Sequence, residues 1–179
     1  DLGDLDGERL AICFGTGLGC LLADAEYARK LHANGPAAAS PQLFAYTVSS
    51  AAAGEVAIAL GARGPGTTIH SGLAAGTAAI GEGVDLILAN RADVVLAGGA
   101  DACGAALLDA WRALTQCEPP PPSTPSNRFP SPTDGLASLP ADGVAVVVLE
   151  RADRVAARGA RGLAIVRGQA SGFVADAGF

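Results

Sequence analysis

The sequence predicts an α/β fold, a layered sheet flanked by helices. Two observations carry that expectation. Short apolar runs ending in glycine alternate with Ala-rich or amphipathic stretches of helical length. Half of the 179 residues are hydrophobic and only 17% are charged, which suits a tightly packed core and excludes a disordered chain. The length is enough for one domain, 1–179, with a sizeable core.

Each element has its own signal. "RLAICFGTG" (9–17) is a short apolar run closed by glycines and reads as a buried strand. "LLADAEYARKLHANGP" (21–36) reads as an amphipathic helix stopped by Gly35-Pro36. "PQLFAYTVSSAAAGEVAIALGARGPG" (41–66) gives an irregular entry and then an Ala-rich helix from about Ser50 to Leu60. "TTIH" (67–70) is a strand. "AAGTAAIGEGVDLILAN" (74–90) is a helix whose small residues predict close neighbours, and "ADVVLAGGADA" (92–102) is a buried strand with a glycine exit. "CEPPPPSTPSNRFPSPTDG" (117–135) breaks the pattern, because four consecutive prolines forbid helix and favour an extended surface loop. "GVAVVVLERADRVAARGARGLAIVRGQ" (143–169) predicts strand, basic helix, strand.

Composition excludes several functions. The net charge is -6 and the arginines are scattered, which speaks against nucleic-acid binding. No apolar run reaches the roughly 18 residues needed to span a bilayer, and no signal-like start is present, so a cytoplasmic protein is expected. The two histidines, His32 and His70, stand apart in sequence from Cys13, Cys20, Cys103 and Cys117, so no metal site is expected. Reduced thiols are expected, with Cys13 a small core residue.

Three places invite a chemical reading. The turn Gly15-Thr16-Gly17-Leu18-Gly19 follows a strand and opens a helix, as in a dinucleotide-binding turn. The third glycine of the usual spacing falls on Cys20, however, and no acidic residue ends a clear next strand where a ribose partner belongs. Close backbone packing is the expected use, and a small-molecule or nucleotide-binding module is the alternative. Cys103 follows a glycine exit, but no histidine is near it in sequence to form a thiolate, so it reads as a buried structural thiol. His70 and Ser71 are adjacent on a strand and point to opposite faces, which argues against a Ser–His pair. In "TTIHSGLAAGTAAIGEG" (67–83), the strand runs through Ser71-Gly72 into a helix, a turn that often carries a nucleophile, yet its tip is Leu73.

Several segments together resemble the N-terminal half of β-ketoacyl synthases, the condensing enzymes of fatty-acid and polyketide assembly. "ERLAICFGTGLG" is similar to that family's second strand and glycine turn, and "SPQLFAYTVSSAAAGEVAIALGARGPG" to its dimer-proximal helix and the Gly-Pro before the nucleophile strand. "GEGVDLILANRADVVLAGGADA" resembles the helix behind the nucleophile and the Ala-Gly-Gly strand. "NRFPSPTDG" loosely echoes a further family stretch, and "DGVAVVVLERADRVAARGAR" resembles its strand, Leu-Glu and Arg-Gly-Ala run. The segments cover nearly the whole chain in the family's order.

The resemblance implies a thiolase-like N-terminal half, a mixed sheet flanked by helices and incomplete at both ends. The family's first strand, expected to be central in that sheet, is not found in this sequence, so unpaired backbone is expected unless the sequence is trimmed at Asp1 or another chain supplies the strand. Counting from Gly64-Pro65, the family's nucleophilic cysteine falls on Leu73. Leucine cannot form a thioester, so no catalytic residue is expected there. The family's catalytic histidines and lysine lie in the half beyond Phe179. The resemblance further implies a chain-length-factor-like (ketosynthase β-like) subunit, a branch that lacks the cysteine. Such a subunit pairs with an active ketosynthase, or with itself, and meets an acyl carrier protein through the complex, with no cofactor. A truncated or degenerate ketosynthase fragment is the alternative within the family. Thr67, Thr68, Ile69 and His70 are then expected at a two-fold or pseudo-two-fold interface, and Leu73 is expected to be buried.

Overall fold

The computed structural model describes residues 5–105, 107–109 and 141–172. The Pro-rich loop 117–135 and Cys117 lie outside the described residues. The elements run β1 (Leu10–Gly15), α1 (Leu21–Asn34), α2 (Pro41–Phe44), α3 (Ala51–Leu60), β2 (Gly66–Ile69), α4 (Ala75–Leu88), β3 (Val94–Asp101), β4 (Gly143–Glu150) and α5 (Ala152–Ala157). Four strands form one sheet in the order β2-β1-β3-β4. β1 runs parallel to both its neighbours, with Cys13 opposite Thr67 on one side and Ala97 on the other. β4 closes the sheet antiparallel to β3, with Val94 opposite Glu150. This is the mixed, helix-flanked sheet the sequence predicts.

β1 is fully buried because it is central, and its side chains alternate between two faces. Ala11 and Cys13 point to one core with Val95 and Ala97, covered by Ala79 and Leu86 of α4. Ile12 and Phe14 point to a second core with Ala53, Val56 and Ala57 of α3. The α4 face of the sheet is paved with small side chains, so the helix comes very close. A methyl group on Gly15 would lie 2.2 Å from the backbone carbonyl of Ala75. Burial pushes the Cys13 thiol up to about 11, and the nearby Glu82 carboxylate adds to the shift, so Cys13 is a neutral core residue as expected.

Three expectations need correcting. No gap marks a missing central strand, because β1 is hydrogen-bonded along both edges. The second strand predicted within 143–169 does not form. Residues 161–172 carry no regular structure, since no described strand lies alongside to pair with them, and Leu163 and Ile165 are exposed. The helix 21–34 forms and is stopped by Gly35, whose N–H bonds the Leu31 carbonyl, but none of its residues is buried.

Candidate functional site: the turns at the strand ends

β1, β2 and β3 all end on the same side of the sheet, so the turns after them converge there. In open α/β sheets, such carboxyl ends are where sites are built. The β1–α1 turn contains Thr16 to Cys20, the β2–α4 turn contains His70 to Ala74, and β3 ends in Asp101.

Asp101 is the organising charge. It accepts the Thr16 hydroxyl at 2.5 Å, the Gly17 N–H at 3.0 Å and the Leu18 N–H at 2.9 Å. The Thr16 Oγ1 in turn accepts the Gly19 N–H at 2.8 Å. Burial alone would raise the Asp101 carboxyl, but these hydrogen bonds and the nearby His70 outweigh it and hold the group below the ordinary carboxylate range. The glycine turn therefore has its anion already, supplied by the chain's own side chain. This corrects the alternative of a nucleotide-binding module, because the N–H groups that would receive a phosphate are occupied. Sequence reading missed Asp101, because only the pairing of β1 with β3 brings the end of β3 beside the glycine turn.

A folded-state group held below its ordinary value stabilises the fold above its unfolded pKa, and that contribution is lost as pH falls through the folded value. Acidification below about pH 4, the ordinary aspartate range, is expected to lower the urea midpoint of the chain. Asp101→Asn should show a smaller fall over the same interval, and an unchanged fall would assign the acid sensitivity to other carboxylates.

His70 and Ser71 do not form a pair. The His70 ring and the Ser49 hydroxyl lie over Gly19, where a methyl group would come within 2.9 Å and 3.0 Å of them. Cys20 stands beside them, donating to Asp24 at 3.2 Å with Ser49 Oγ 3.8 Å away. Cys103 is partly exposed, not buried as expected, because the chain leaves the sheet immediately before it. Burial and the carboxylates of Asp142 and Asp101 raise its thiol, which disfavours a nucleophilic thiolate. Among the described residues, no three of His, Cys, Asp and Glu come together in a way that could hold a metal.

Leu73 lies where strand gives way to helix, in a single 3-10 turn (Gly72–Ala74) before α4. Gly72 has φ 53°, a left-handed conformation that suits glycine. Leu73 is 95% exposed, which corrects the expected burial. The reason is helical phase. Ala75, Ala79 and Leu86 are the α4 residues turned to the sheet, and a residue two before Ala75 lies about 200° around the axis from it. Leu73→Ala is therefore expected to change the stability of the isolated chain by no more than about 0.5 kcal/mol. A loss of 2 kcal/mol or more in urea unfolding would show that the side chain is buried in solution.

Of the predicted interface residues, Thr67, Thr68 and Ile69 lie in β2, while His70 follows the strand. Among the described residues, β2 is an edge strand. Its Pro65 and Ile69 carbonyls accept from Ile12 and Thr16 of the β1 side, so the alternate residue Thr68 turns its backbone outward. The neighbouring surface is apolar: Val48, Ile58 (79% exposed) and Leu60 stand open around α3, a helix that is apolar on nearly every side.

The comparisons with known proteins agree with this architecture. The family model described as "Beta-ketoacyl synthase, N-terminal domain" matches residues 1–154. The chain is 37% identical over 174 residues to the tetracenomycin polyketide synthase ketoacyl synthase alpha subunit of Streptomyces glaucescens, covering 92% of this chain and 40% of that protein. It is 35% identical over 179 residues to nodulation protein E of Rhizobium sp. (strain N33), covering 95% of this chain and 42% of that protein. Among solved structures, a type II acyl-carrier protein in complex with its ketosynthase bound to the hexaketide matches with a TM-score of 0.72 at 25% identity, over 88% of this chain and 40% of that one. The chain thus spans about two fifths of the length of these relatives.

Proposed function

Because the chain belongs to the beta-ketoacyl synthase family and carries its N-terminal domain, we propose that it serves as a ketosynthase-like subunit without a nucleophile of its own, pairing with an active ketosynthase in polyketide or fatty-acid assembly. Leu73 carries this reading. It occupies the tip of the strand-to-helix turn, the position to which the resemblance assigns the attacking cysteine, and its hydrocarbon side chain has neither lone pair nor acidic proton. The edge of β2, unpaired among the described residues, and the apolar surface around α3 would supply the face for a partner, since a helix apolar on nearly every side is normally covered. An acyl carrier protein then meets the chain through the complex, a reading supported by the carrier-bound ketosynthase among its structural neighbours.

A second reading is a ketosynthase that has lost condensing activity and pairs with itself. It is favoured by relatives that are named ketoacyl synthase and alpha subunit rather than chain-length factor. Co-expression with a tagged ketosynthase, followed by size-exclusion chromatography with light scattering, separates the two. The subunit reading expects a one-to-one complex. A homodimer that ignores the ketosynthase supports the second reading, and a stable monomer at micromolar concentration contradicts both.

A further inference from the structure

Asp101 is separated from the Leu73 turn by 28 residues of sequence and makes no hydrogen bond to it, yet two contacts link them. The Thr16 N–H donates to the Ile69 carbonyl, the last of β2, at 3.0 Å. Gly17 lies directly beneath Gly72: a methyl group there would be 3.1 Å from the Gly72 oxygen and 3.4 Å from Asp101 Oδ2. The same residue thus touches the carboxylate on one side and the turn on the other. The Gly72 carbonyl then accepts the N–H of Ala75, the first residue of α4. Thr16, Gly17 and Leu18 are themselves held by Asp101 through the Thr16 hydroxyl and the backbone N–H groups of Gly17 and Leu18.

We propose that Asp101 is a positioning residue: by clamping the β1–α1 turn, it sets the seat on which the His70–Ala74 turn rests, and so fixes where residue 73 is presented. Without the clamp, Thr16 to Leu18 keep only the general flexibility of a glycine-rich turn. The contacts under Ile69 and Gly72 then loosen, and the start of α4 frays. The inference concerns the turn itself and holds whichever partner the chain takes.

The test is amide hydrogen exchange of the full chain, comparing the native sequence with Asp101→Asn. The side chain keeps its size and loses its charge. Exchange at Ala74 and Ala75, whose N–H groups bond Ser71 and Gly72, is expected to quicken about tenfold or more beyond any change at Ala11 to Phe14 in β1, whose protection follows the stability of the whole fold. Thr16→Val removes one donor to Asp101 together with the acceptor of the Gly19 N–H and should reproduce the effect if Asp101→Asn fails to fold, and Thr16→Ser, which keeps the hydroxyl, should restore native exchange. Unchanged exchange at Ala74 and Ala75 would overturn the proposal. An increase at Ala74 and Ala75 no larger than that in β1 would also overturn it, because it would mean that Asp101 acts on this turn only through the stability of the whole fold.

Discussion

Thr68→Pro is expected to weaken the proposed association of the chain with a partner while leaving its own fold intact. The alternation along β2 turns the Thr68 backbone away from β1, so the lost N–H has no bond inside the chain. Proline is tolerated at such an edge position, and the chain's own stability should change by no more than about 1 kcal/mol. An antiparallel partner strand would lose a ladder bond and meet the ring. If both copies or both related subunits used this edge, a buried unsatisfied group at about 1–3 kcal/mol on one side alone would weaken binding roughly five- to a hundredfold. Light scattering of the variant should show monomer at concentrations where the native chain is paired. Thr67→Pro is the contrasting case, because its backbone faces β1, and it should damage the fold itself. Association unchanged in Thr68→Pro would remove β2 from the interface.

Gly15→Ala should be among the most damaging single substitutions in the chain. The added methyl would stand 2.2 Å from the carbonyl carbon and oxygen of Ala75 and 2.5 Å from the N of Gly76. All three are backbone atoms at the start of α4, so no side-chain rotation can relieve the clash. The helix would have to withdraw from the sheet, opening the core of Cys13, Ala79 and Ala97. Overpacking ordinarily costs about 1–3 kcal/mol, and a clash with backbone belongs at or above the top of that range. Urea unfolding would measure it, and a cost under 1 kcal/mol would show that the close approach of α4 to β1 is not a feature of the folded chain.

Much of this architecture was legible in the sequence because it rests on local signals. The apolar run of β1, the Val-Val-Leu-Ala-Gly-Gly run of β3 and the small-residue face of α4 each specify their element without help. What could not be read depends on which strands become neighbours. The Asp101 clamp exists only because β1 and β3 lie side by side with Gly15 opposite Gly99, a register no sequence period announces. The exposure of Leu73 follows from the phase at which α4 begins, and a shift of two residues would have turned it inward. Residues 163–166 form an unbroken apolar run like a buried strand, yet a strand needs a neighbour, and none among the described residues is beside them.

Intact-mass spectrometry of the ketosynthase complex, after exposure to an acyl-loaded carrier protein, tests most directly whether position 73 has lost its chemistry. The expected spectrum shows acyl mass on the ketosynthase partner and none on this chain, with Leu73→Ala unchanged in that respect. Acyl mass on this chain, mapped to Cys20 or Cys103, would contradict a subunit without its own nucleophile and would place the acyl-carrying thiol elsewhere in the chain.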